Sequence, residues 1–503
     1  MIASVEVPVA DHFERSRARF ETLAGFLEGE AAATLAHSEL ESRLEVDGRE
    51  LLRSLLQDHL DMRAGREQRI EAVADAEGAG RGLVDRGRER ALHSVFGEVS
   101  VERLAYRARG ASSLHPADAL LNLPAERHSH GLRRLAALES SRGSFEDAVA
   151  AIERGSGQAL GKRQVEELAG RAAADFEPFY AQRRAIGAEA DDVLVISCDG
   201  KGIVMRHEAL RAATAKAAAT STTKLQTRLS KGEKRNRKRM AEVGAVYDAT
   251  PAPRSVADVL PASDAERAGA VEGPLAKGKW LTASVEHDAA TVVEKLFDEA
   301  DRRDPGRART RVALVDGNNH QIERIKSEAK ARGAPVSIVC DFVHVIEYLW
   351  GAAWSLHAEG DPAADAWVRR HAKAVLEGAA TRVAGSIRRA ATKAGLDQTR
   401  RAGADKCATY LTNKHAYLDY PTALKEGWPI ATGVIEGACR HLVKDRMDLT
   451  GARWGLDGAE AILKLRALRS NHDFDEYWRY HLQQELRRVH LSRYANNTIP
   501  KTA

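Results

Sequence analysis

The spacing of hydrophobic residues changes along the chain. In residues 1–90, hydrophobic side chains such as Phe13, Phe20, Leu23 and Phe26 recur at helical spacing. Charged residues fill most of the positions between them, as they do on the solvated faces of amphipathic helices. The pattern therefore predicts a helical N-terminal region over residues 1–90.

A different pattern follows in residues 91–185. Val95, Val99 and Val101 alternate with other residues around Gly97-Glu98, which predicts a short β-hairpin over residues 93–108. Helical spacing then returns over residues 131–173, in short segments separated by glycines. Short helices with a glycine-containing turn are typical of a helix-turn-helix, and an ordinary bundle of linker helices is the alternative.

From Asp192 onward, apolar runs alternate with helical segments. Continuous apolar runs are typical of strands buried on both faces of a sheet. The predicted strands are Val193–Cys198, Ala241–Tyr247, Trp280–Val285, Arg311–Val315 and Pro335–Cys340. This alternation predicts an α/β domain over residues 190–344. A block without proline between Pro362 and Pro421 then predicts an all-helical segment over residues 345–430, and a further helical stretch covers Gly433 to Ser470.

Composition excludes several classes of protein. Hydrophobic residues make up 44% of the chain, and 76 Lys and Arg against 72 Asp and Glu give a net charge of +4. These values are typical of a globular chain. No apolar run approaches the ~20 residues that span a bilayer, and the first residues do not resemble a signal peptide. The four cysteines form no Cys-x-x-Cys pair, so we expect neither a zinc ribbon nor disulfides, and a reduced, cytoplasmic location.

Three predicted strands are followed directly by aspartate: Asp199, Asp316 and Asp341. The carboxyl ends of strands are where ligands gather in open α/β sheets. Neighbouring carboxylates repel one another unless something neutralises them, and a divalent cation with oxygen ligands does so most simply. An Asp-Gly pair alone is also a common turn, so the signal lies in the repetition.

A fourth carboxylate, Glu436, lies early in a predicted helix among small and apolar neighbours. A surface pair with Arg440, one turn further on, is the alternative interpretation. If the helix packs beside Asp199 and Asp316, the three carboxylates form a cradle for two metal ions. Two ions can hold the attacking and the leaving oxygen of an in-line phosphoryl transfer.

The order of these residues resembles a known family. Asp199, Asp316-Gly317, Asp341-x-x-His344 and Glu436, with a helical block before the glutamate, are similar to the DDE transposases of the Mutator-like group. The specific match is to bacterial insertion-sequence transposases of the ISKra type. The runs Phe96–Arg103 and Lys444–Ala467 also look like this family, so the resemblance covers residues 90 to 480. Related proteins often carry a cysteine pair after the hairpin, where this chain has Ala108–Ala111.

The resemblance implies an RNase H-like α/β catalytic domain, interrupted by an all-α insertion and preceded by a mainly helical DNA-binding region. Asp199, Asp316 and Glu436 would be the catalytic residues and the ligands of two Mg²⁺ or Mn²⁺ ions. Asp341 and His344 would form an auxiliary site, and Asp341 in place of Asp316 as second ligand is the rival assignment.

The implied activity is metal-dependent cleavage and strand transfer of an insertion sequence. The partners would be double-stranded DNA, as terminal inverted repeats and as target, and further copies of the chain on that DNA, with no membrane. The protein would then be cytoplasmic, and associated with the nucleoid when bound to DNA. An inactive DNA-binding protein on the same scaffold, and an RNase H-like nuclease without strand transfer, are the alternatives.

The expected organisation has six parts. They are a helical region (1–90), a hairpin and helix-turn-helix-like DNA-recognition segment (91–185), the first part of the catalytic domain (190–344), the helical insertion (345–430), the end of the catalytic domain with Glu436 (431–480), and a tail (481–503).

Positively charged residues in two places are candidates for contact with DNA phosphates. The first group lies in a basic run between the first two strands of the α/β domain, and the second lies beside Glu436. The candidates are Lys224, Arg228, Lys231, Lys234, Arg235, Arg237, Lys238, Arg239, Arg440, Lys444, Arg446 and Arg453. A solvated loop is the alternative for the basic run.

Overall fold

The computed structural model describes residues 11–183, 189, 191–220, 237–449 and 451–500. The chain divides into two units, one of Met1–Ala181 with Asp473–Ala503 and the other of Gln182–His472. Across the described residues, no helix combines the length and the apolar character that crossing a membrane requires.

The first unit combines helices with one β-hairpin. Its helices are α1 (Glu14–Glu28), α2 (Glu30–Ala33), α3 (His37–Gly65), α4 (Pro116–Leu120), α5 (His130–Arg142), α6 (Phe145–Ser156), α7 (Lys162–Ala172), α8 (Phe176–Gln182) and a C-terminal helix (Phe474–Glu485). Its strands are β1 (Leu83–Ser94) and β2 (Gly97–Arg107), which pair antiparallel.

The prediction of helix over residues 1–90 is confirmed for α1, α2 and α3, and its first ten residues lie outside the described part of the chain. It is wrong after Gly65, where the chain leaves the helix and β1 begins at Leu83. Most of the side chains in β1 are exposed or half-buried, so the strand carries little hydrophobic pattern of its own. Its partner β2 supplies the buried residues, and cross-strand pairing stabilises the hairpin. The hairpin itself is confirmed, but the turn lies at Val95-Phe96, because Ser94 pairs with Gly97.

The short helices predicted for residues 131–173 are confirmed as α5, α6 and α7. They share a core that includes Leu132, Ile152 and Val165. The start of α6 is a capping box, in which Ser144 Oγ accepts from the Asp147 N–H at 3.0 Å and the Asp147 carboxylate accepts from the Ser144 N–H. A glycine at φ +67°, Gly157, ends the same helix.

The second unit is built on a mixed five-stranded sheet. Its strands are β3 (Val193–Val204), β4 (Lys238–Ala249), β5 (Ala276–Ser284), β6 (Arg311–Val315) and β7 (Ser337–Cys340). The order across the sheet is β5-β4-β3-β6-β7, with antiparallel pairing between the first three and parallel pairing from β3 through β6 to β7. All five predicted strands are confirmed, and the fold class is mixed α/β.

The helices of the second unit surround this sheet and continue beyond it. They are α9 (Ala212–Ala219), α10 (Val256–Val259), α11 (Asp264–Gly269), α12 (Ala289–Arg303), α13 (Asn319–Arg332), α14 (Phe342–Leu356), α15 (Pro362–Leu376), α16 (Ala380–Lys393), α17 (Ala402–Lys414), α18 (Tyr420–Lys425), α19 (Gly433–Ala438), α20 (Asp445–Met447) and α21 (Leu456–Ser470). A π-helical turn, Cys439–Lys444, joins α19 to α20. Residues 448, 449 and 451–455 are not helical, so they interrupt the helical stretch predicted from Gly433 to Ser470.

The helical block α14–α18 follows β7, as the absence of proline predicted. Two of its helices approach each other very closely where Gly403 of α17 meets Gly351 of α14. A Cβ built on Gly403 would lie 2.1 Å from the carbonyl oxygen of Gly351, whereas one built on Gly351 would meet nothing within 4 Å. Only one of the two glycines is therefore required by this crossing.

This asymmetry gives a matched pair of substitutions. We expect Gly403→Ala to lower the free energy of unfolding of the second unit by ~1–3 kcal/mol, because the added methyl group forces the helices apart. Gly351→Ala should leave that free energy unchanged or raise it, because alanine favours a helix over glycine. Urea unfolding of the full chain measures both, and equal effects of the two substitutions would contradict the close crossing.

Candidate functional site

Asp199 lies inside a strand rather than at its end, which corrects the sequence-based expectation. The strand β3 continues to Val204 because β4 pairs with it along its whole length, with Asp199 opposite Val243. On the other side, β6 pairs with β3 only as far as Ser197, opposite Leu314. Asp199 is thus half-buried on a strand edge that has just lost its parallel neighbour.

The direction of the Asp199 side chain follows from strand alternation. Cys198 lies opposite Gly244 of β4, so both residues point to the same face of the sheet. A Cβ built on Gly244 would lie 2.6 Å from Leu296, which shows that helix α12 covers this face. Asp199 and Val243 therefore point to the other face. Helix α19 and the π-helical turn lie on that face, and Cys439 Sγ is 3.3 Å from Asp199 Oδ2.

The thiol of Cys439 acts as a hydrogen-bond donor to this carboxylate. Burial and the negative charge of Asp199 raise the pKa of Cys439. The side chain therefore stays protonated at neutral pH, and its S–H can be donated to Asp199. The contact ties the π-helical turn to β3.

Asp316 follows β6 directly, as predicted. Ser197 and Leu314 are opposite each other in the parallel register, so positions 199 and 316, each two residues further on, lie at the same end of adjacent strands. Asp316 Oδ1 accepts from the Asn318 N–H at 2.7 Å. The Asp316 side chain is half-buried.

Helix α17 fixes the turn after Asp316. The Tyr410 hydroxyl donates to the main-chain oxygen of Asp316 at 3.1 Å. The ring of Tyr410 also lies within 2.9 Å of where a Cβ on Gly317 would be, and Gly317 has φ +96°. A glycine is therefore needed here both for the backbone conformation and for the close approach. The helical block thus contributes to the position of a candidate metal ligand.

Glu436 lies on α19, one turn before Cys439, and its side chain is exposed. Among the described residues, ligand atoms of Asp341, His344 and Glu436 form the one group of three that lie within 4.8 Å of one another. Asp199 and Asp316 are outside that group. The structure brings their main chains to one edge of the sheet, but it does not bring their carboxylates into contact with Glu436.

Asp341 is fully buried, and its carboxylate is engaged by protein donors. It accepts from the Val343 N–H at 2.8 Å, which caps α14, and from the Thr432 hydroxyl, and it lies 3.1 Å from His344 Nδ1. The same hydroxyl is 3.3 Å from Glu436 Oε1. Thr432 thus lies between two carboxylates, although it has only one proton to donate.

The predicted DNA-contacting residues divide into three groups. Lys224, Arg228, Lys231, Lys234 and Arg235 lie outside the described residues. Five others have exposed or half-buried side chains, and they are Arg237, Lys238, Arg440, Lys444 and Arg453. The remaining two, Arg239 and Arg446, are committed to the protein itself.

The hydrogen bonds of Arg239 and the burial of Arg446 show why these two differ. Arg239 donates to the carbonyl oxygens of Val285, at 2.7 Å, and of Ala209, at 3.2 Å. Arg446 is 2% exposed, and its guanidinium lies 4.7 Å from the centre of the Trp454 ring. The guanidinium of Arg239 is thus hydrogen-bonded within the protein and that of Arg446 is buried, which the charge pattern alone could not show.

Four residues near the site were not identified from the sequence: Lys201, Tyr410, Thr432 and Cys439. Lys201 is exposed on β3, on the same face as Asp199 and close enough to lower the pKa of Cys439 against the effect of burial. Extending the predicted strand past Asp199 would have identified it. Thr432 and Cys439 lie about one helical turn from Glu436, at i−4 and i+3. Nothing in the local sequence indicates Tyr410, which comes from a distant helix.

The Asp341–His344 pair gives a pH-dependent prediction. The hydrogen bond to Asp341 raises the pKa of His344 to about 9. Since the folded-state pKa is raised, the pair's contribution to stability is fully present below the unfolded-state pKa of ~6.5 and is lost as the pH rises through about 9. NMR titration should show His344 titrating near the higher value, and Asp341→Asn should lower its pKa. His344→Gln assigns the resonance, and titration of the native His344 near its ordinary value would contradict the pairing.

Comparison with known proteins adds no further constraint on this site. No protein-family model matches the chain, and no curated protein matches it. The function of the site must therefore be inferred from its own residues and their geometry.

Proposed function

We propose that this chain is a DNA transposase that cleaves and joins DNA strands with two divalent metal ions. One arrangement carries the proposal. Asp199 lies on β3, the first strand of the sheet in chain order, and Asp316 follows β6, the fourth, in the same register. The helix that bears Glu436 packs on β3 through Cys439. These are the positions that the resemblance to DDE transposases assigns to the three carboxylates.

The architecture of the second unit supports an RNase H-like catalytic domain. Three antiparallel strands are followed by two parallel ones, with the first strand at the centre of the sheet. The helical block α14–α18 separates β7 from the helix that carries Glu436, which is where an all-α insertion is expected. The contact between Tyr410 and Asp316 gives that block a role in positioning the site.

The chemistry of the available oxygen atoms favours Asp316 over Asp341 as the second ligand. The carboxylate of Asp341 is fully buried and already accepts from a main-chain N–H and from the Thr432 hydroxyl. The side chain of Asp316 is half-buried and has one hydrogen bond, from Asn318. Asp199, Asp316 and Glu436 are therefore the residues that would hold Mg²⁺ or Mn²⁺, which prefer carboxylate oxygen ligands. When bound, such ions stabilise the attacking and leaving oxygens of a phosphoryl transfer.

The protein's own residues supply position and charge. Cys439 holds the Asp199 carboxylate, Tyr410 holds the turn at Asp316, and Thr432 contacts the Glu436 carboxylate. Exposed Lys201 and Arg440 place positive charge on the same face, where a DNA phosphate would be neutralised. Asp341 and His344 act as an auxiliary pair that supports the start of α14.

The rest of the proposal concerns DNA recognition. Helices α5–α7 share one hydrophobic core, and we assign recognition of the element's terminal inverted repeats to them and to the hairpin. Half-buried Arg237 and exposed Lys238, Lys444 and Arg453 would contact DNA phosphates, together with the basic run over residues 224–235. Each phosphate that they neutralise would steepen the salt dependence of binding.

The central test uses charge-removing variants of the three carboxylates. With a plasmid that carries the gene and its natural flanking DNA, the purified chain should cleave and join strands only when Mg²⁺ or Mn²⁺ is present. Asp199→Asn, Asp316→Asn and Glu436→Gln should each lower the rate more than ~100-fold, since even partners of metal ligands contribute ~10–100-fold. Asp191→Asn is the matched control, because Asp191 is exposed and precedes β3.

Each other outcome has a defined meaning. Full activity in any one of the three variants removes that residue from the mechanism, and cleavage without added metal contradicts the proposal. Metal-dependent cleavage that never joins a 3′ end identifies a nuclease. DNA binding without any cleavage identifies an inactive DNA-binding protein.

A further inference from the structure

The longest helix of the first unit, α3, has two different faces. One face packs within the unit: Asp58 forms an ion pair with Arg15 of α1 at 3.3 Å, and Gln57 donates to the carbonyl oxygen of Ser100 on β2 at 2.9 Å. Leu60, three residues further on, is buried on the same side. This face is fully accounted for by contacts inside the unit.

The opposite face of α3 exposes a row of large apolar side chains. The residue exposures are 40% for Leu44, 46% for Leu52 and 39% for Leu55. Leu44 and Leu52 lie four residues before and four residues after Gly48, and Leu55 lies three residues after Leu52. The three leucines therefore form one ridge along the helix. An amphipathic helix normally directs only one apolar stripe towards its own core and keeps the other side polar.

Gly48 is the second unusual feature of this face. A glycine inside a helix costs stability relative to alanine. No contact among the described residues requires a glycine here, because a Cβ built on Gly48 would meet nothing within 4 Å. Its φ is also not among the positive values in the chain. A glycine is needed where a second helix crosses closely over the first, and none of the described residues comes close enough to Gly48 to make such a crossing.

We propose that this face is the interface between two copies of the chain, whose α3 helices cross antiparallel at Gly48. A two-fold axis at Gly48 places Leu44 of one copy opposite Leu52 of the other, so the same ridge serves both sides. Interdigitation of two i±4 ridges is the commonest way in which helices pack, and the glycine allows the backbones to approach.

The charges beside the ridge favour a second copy over a nucleic acid. Helix α3 contains seven Asp and Glu residues and four Arg residues, so a DNA phosphate would be repelled. Glu45 and Arg49 lie along the same side of the ridge and pair with each other in one chain. In the two-fold arrangement, Glu45 of each copy comes within a helical turn of Arg49 of the other copy. Ion pairs between the copies would then add to the Glu45–Arg49 pair within each copy. The interface does not depend on the proposed enzymatic activity.

Sedimentation velocity of the full chain tests the proposal. The native chain should sediment as a dimer of 54.9 kDa subunits and dissociate on dilution. Leu52→Glu should shift it to the monomer, because the two-fold axis places the charge against a leucine. Val46→Glu is the matched control, since Val46 is 66% exposed on the same helix but points away from the ridge, and it should remain dimeric.

Two variants of Gly48 test the register. Gly48→Cys should form a disulfide-linked dimer on mild oxidation, because the two copies of residue 48 meet at the axis, and the four native cysteines are buried. Gly48→Leu should make the monomer thermally more stable and the dimer weaker. A monomeric native chain, a dimer that survives Leu52→Glu, or equal cross-linking of Val46→Cys and Gly48→Cys would overturn the proposal.

Discussion

Repulsion between carboxylates governs the architecture of the candidate site. Asp199, Asp316 and Asp341 are carried to one edge of the sheet by adjacent strands, and α19 adds Glu436. Such a concentration of negative charge is stable only where each carboxylate finds a neutralising partner. The structure shows two kinds of solution. Asp341 is neutralised internally by its buried hydrogen bonds and by His344. Asp199 and Asp316 are instead half-buried. Asp199 accepts from the Gly200 N–H at one oxygen and from the Cys439 thiol at the other, and Asp316 accepts from the Asn318 N–H at one oxygen.

The need to hold Asp199 and Asp316 explains the contacts that the π-helical turn and the helical block α14–α18 make with them. The π-helical turn places Cys439 against Asp199, and Arg466 donates to the carbonyl oxygen of Leu442 within that turn at 3.0 Å. Widened turns of this kind are frequent at functional sites. On the other side, Tyr410 reaches from the helical block to the main chain of Asp316. Residues from three separate parts of the chain thus hold two strand-borne carboxylates in place.

Much of the fold could be predicted from the sequence, because buried strands in the second unit are continuous apolar runs. Arg311–Val315 was predicted with its observed bounds. The failures have physical causes. The strand β1 is a highly charged sequence that becomes a strand through its partner, and β3 extends beyond its apolar run because β4 pairs with Gly200 and Gly202. Asp199, Asp316 and Asp341 could be found because each follows an apolar run, and Glu436 because it has small and apolar neighbours in a helix. Tyr410, Thr432 and Cys439 act through contacts that only the folded chain creates.

The proposed chemistry requires that Asp199, Asp316 and Glu436 hold divalent ions. The most direct measurement is anomalous diffraction from crystals of the protein soaked in Mn²⁺, which locates each ion without reference to activity. We expect anomalous peaks within bonding distance of oxygen atoms of these three carboxylates, and none at Asp341. Absence of any ordered Mn²⁺ there, or a single ion held by Asp341, His344 and Glu436, would contradict the proposed chemistry.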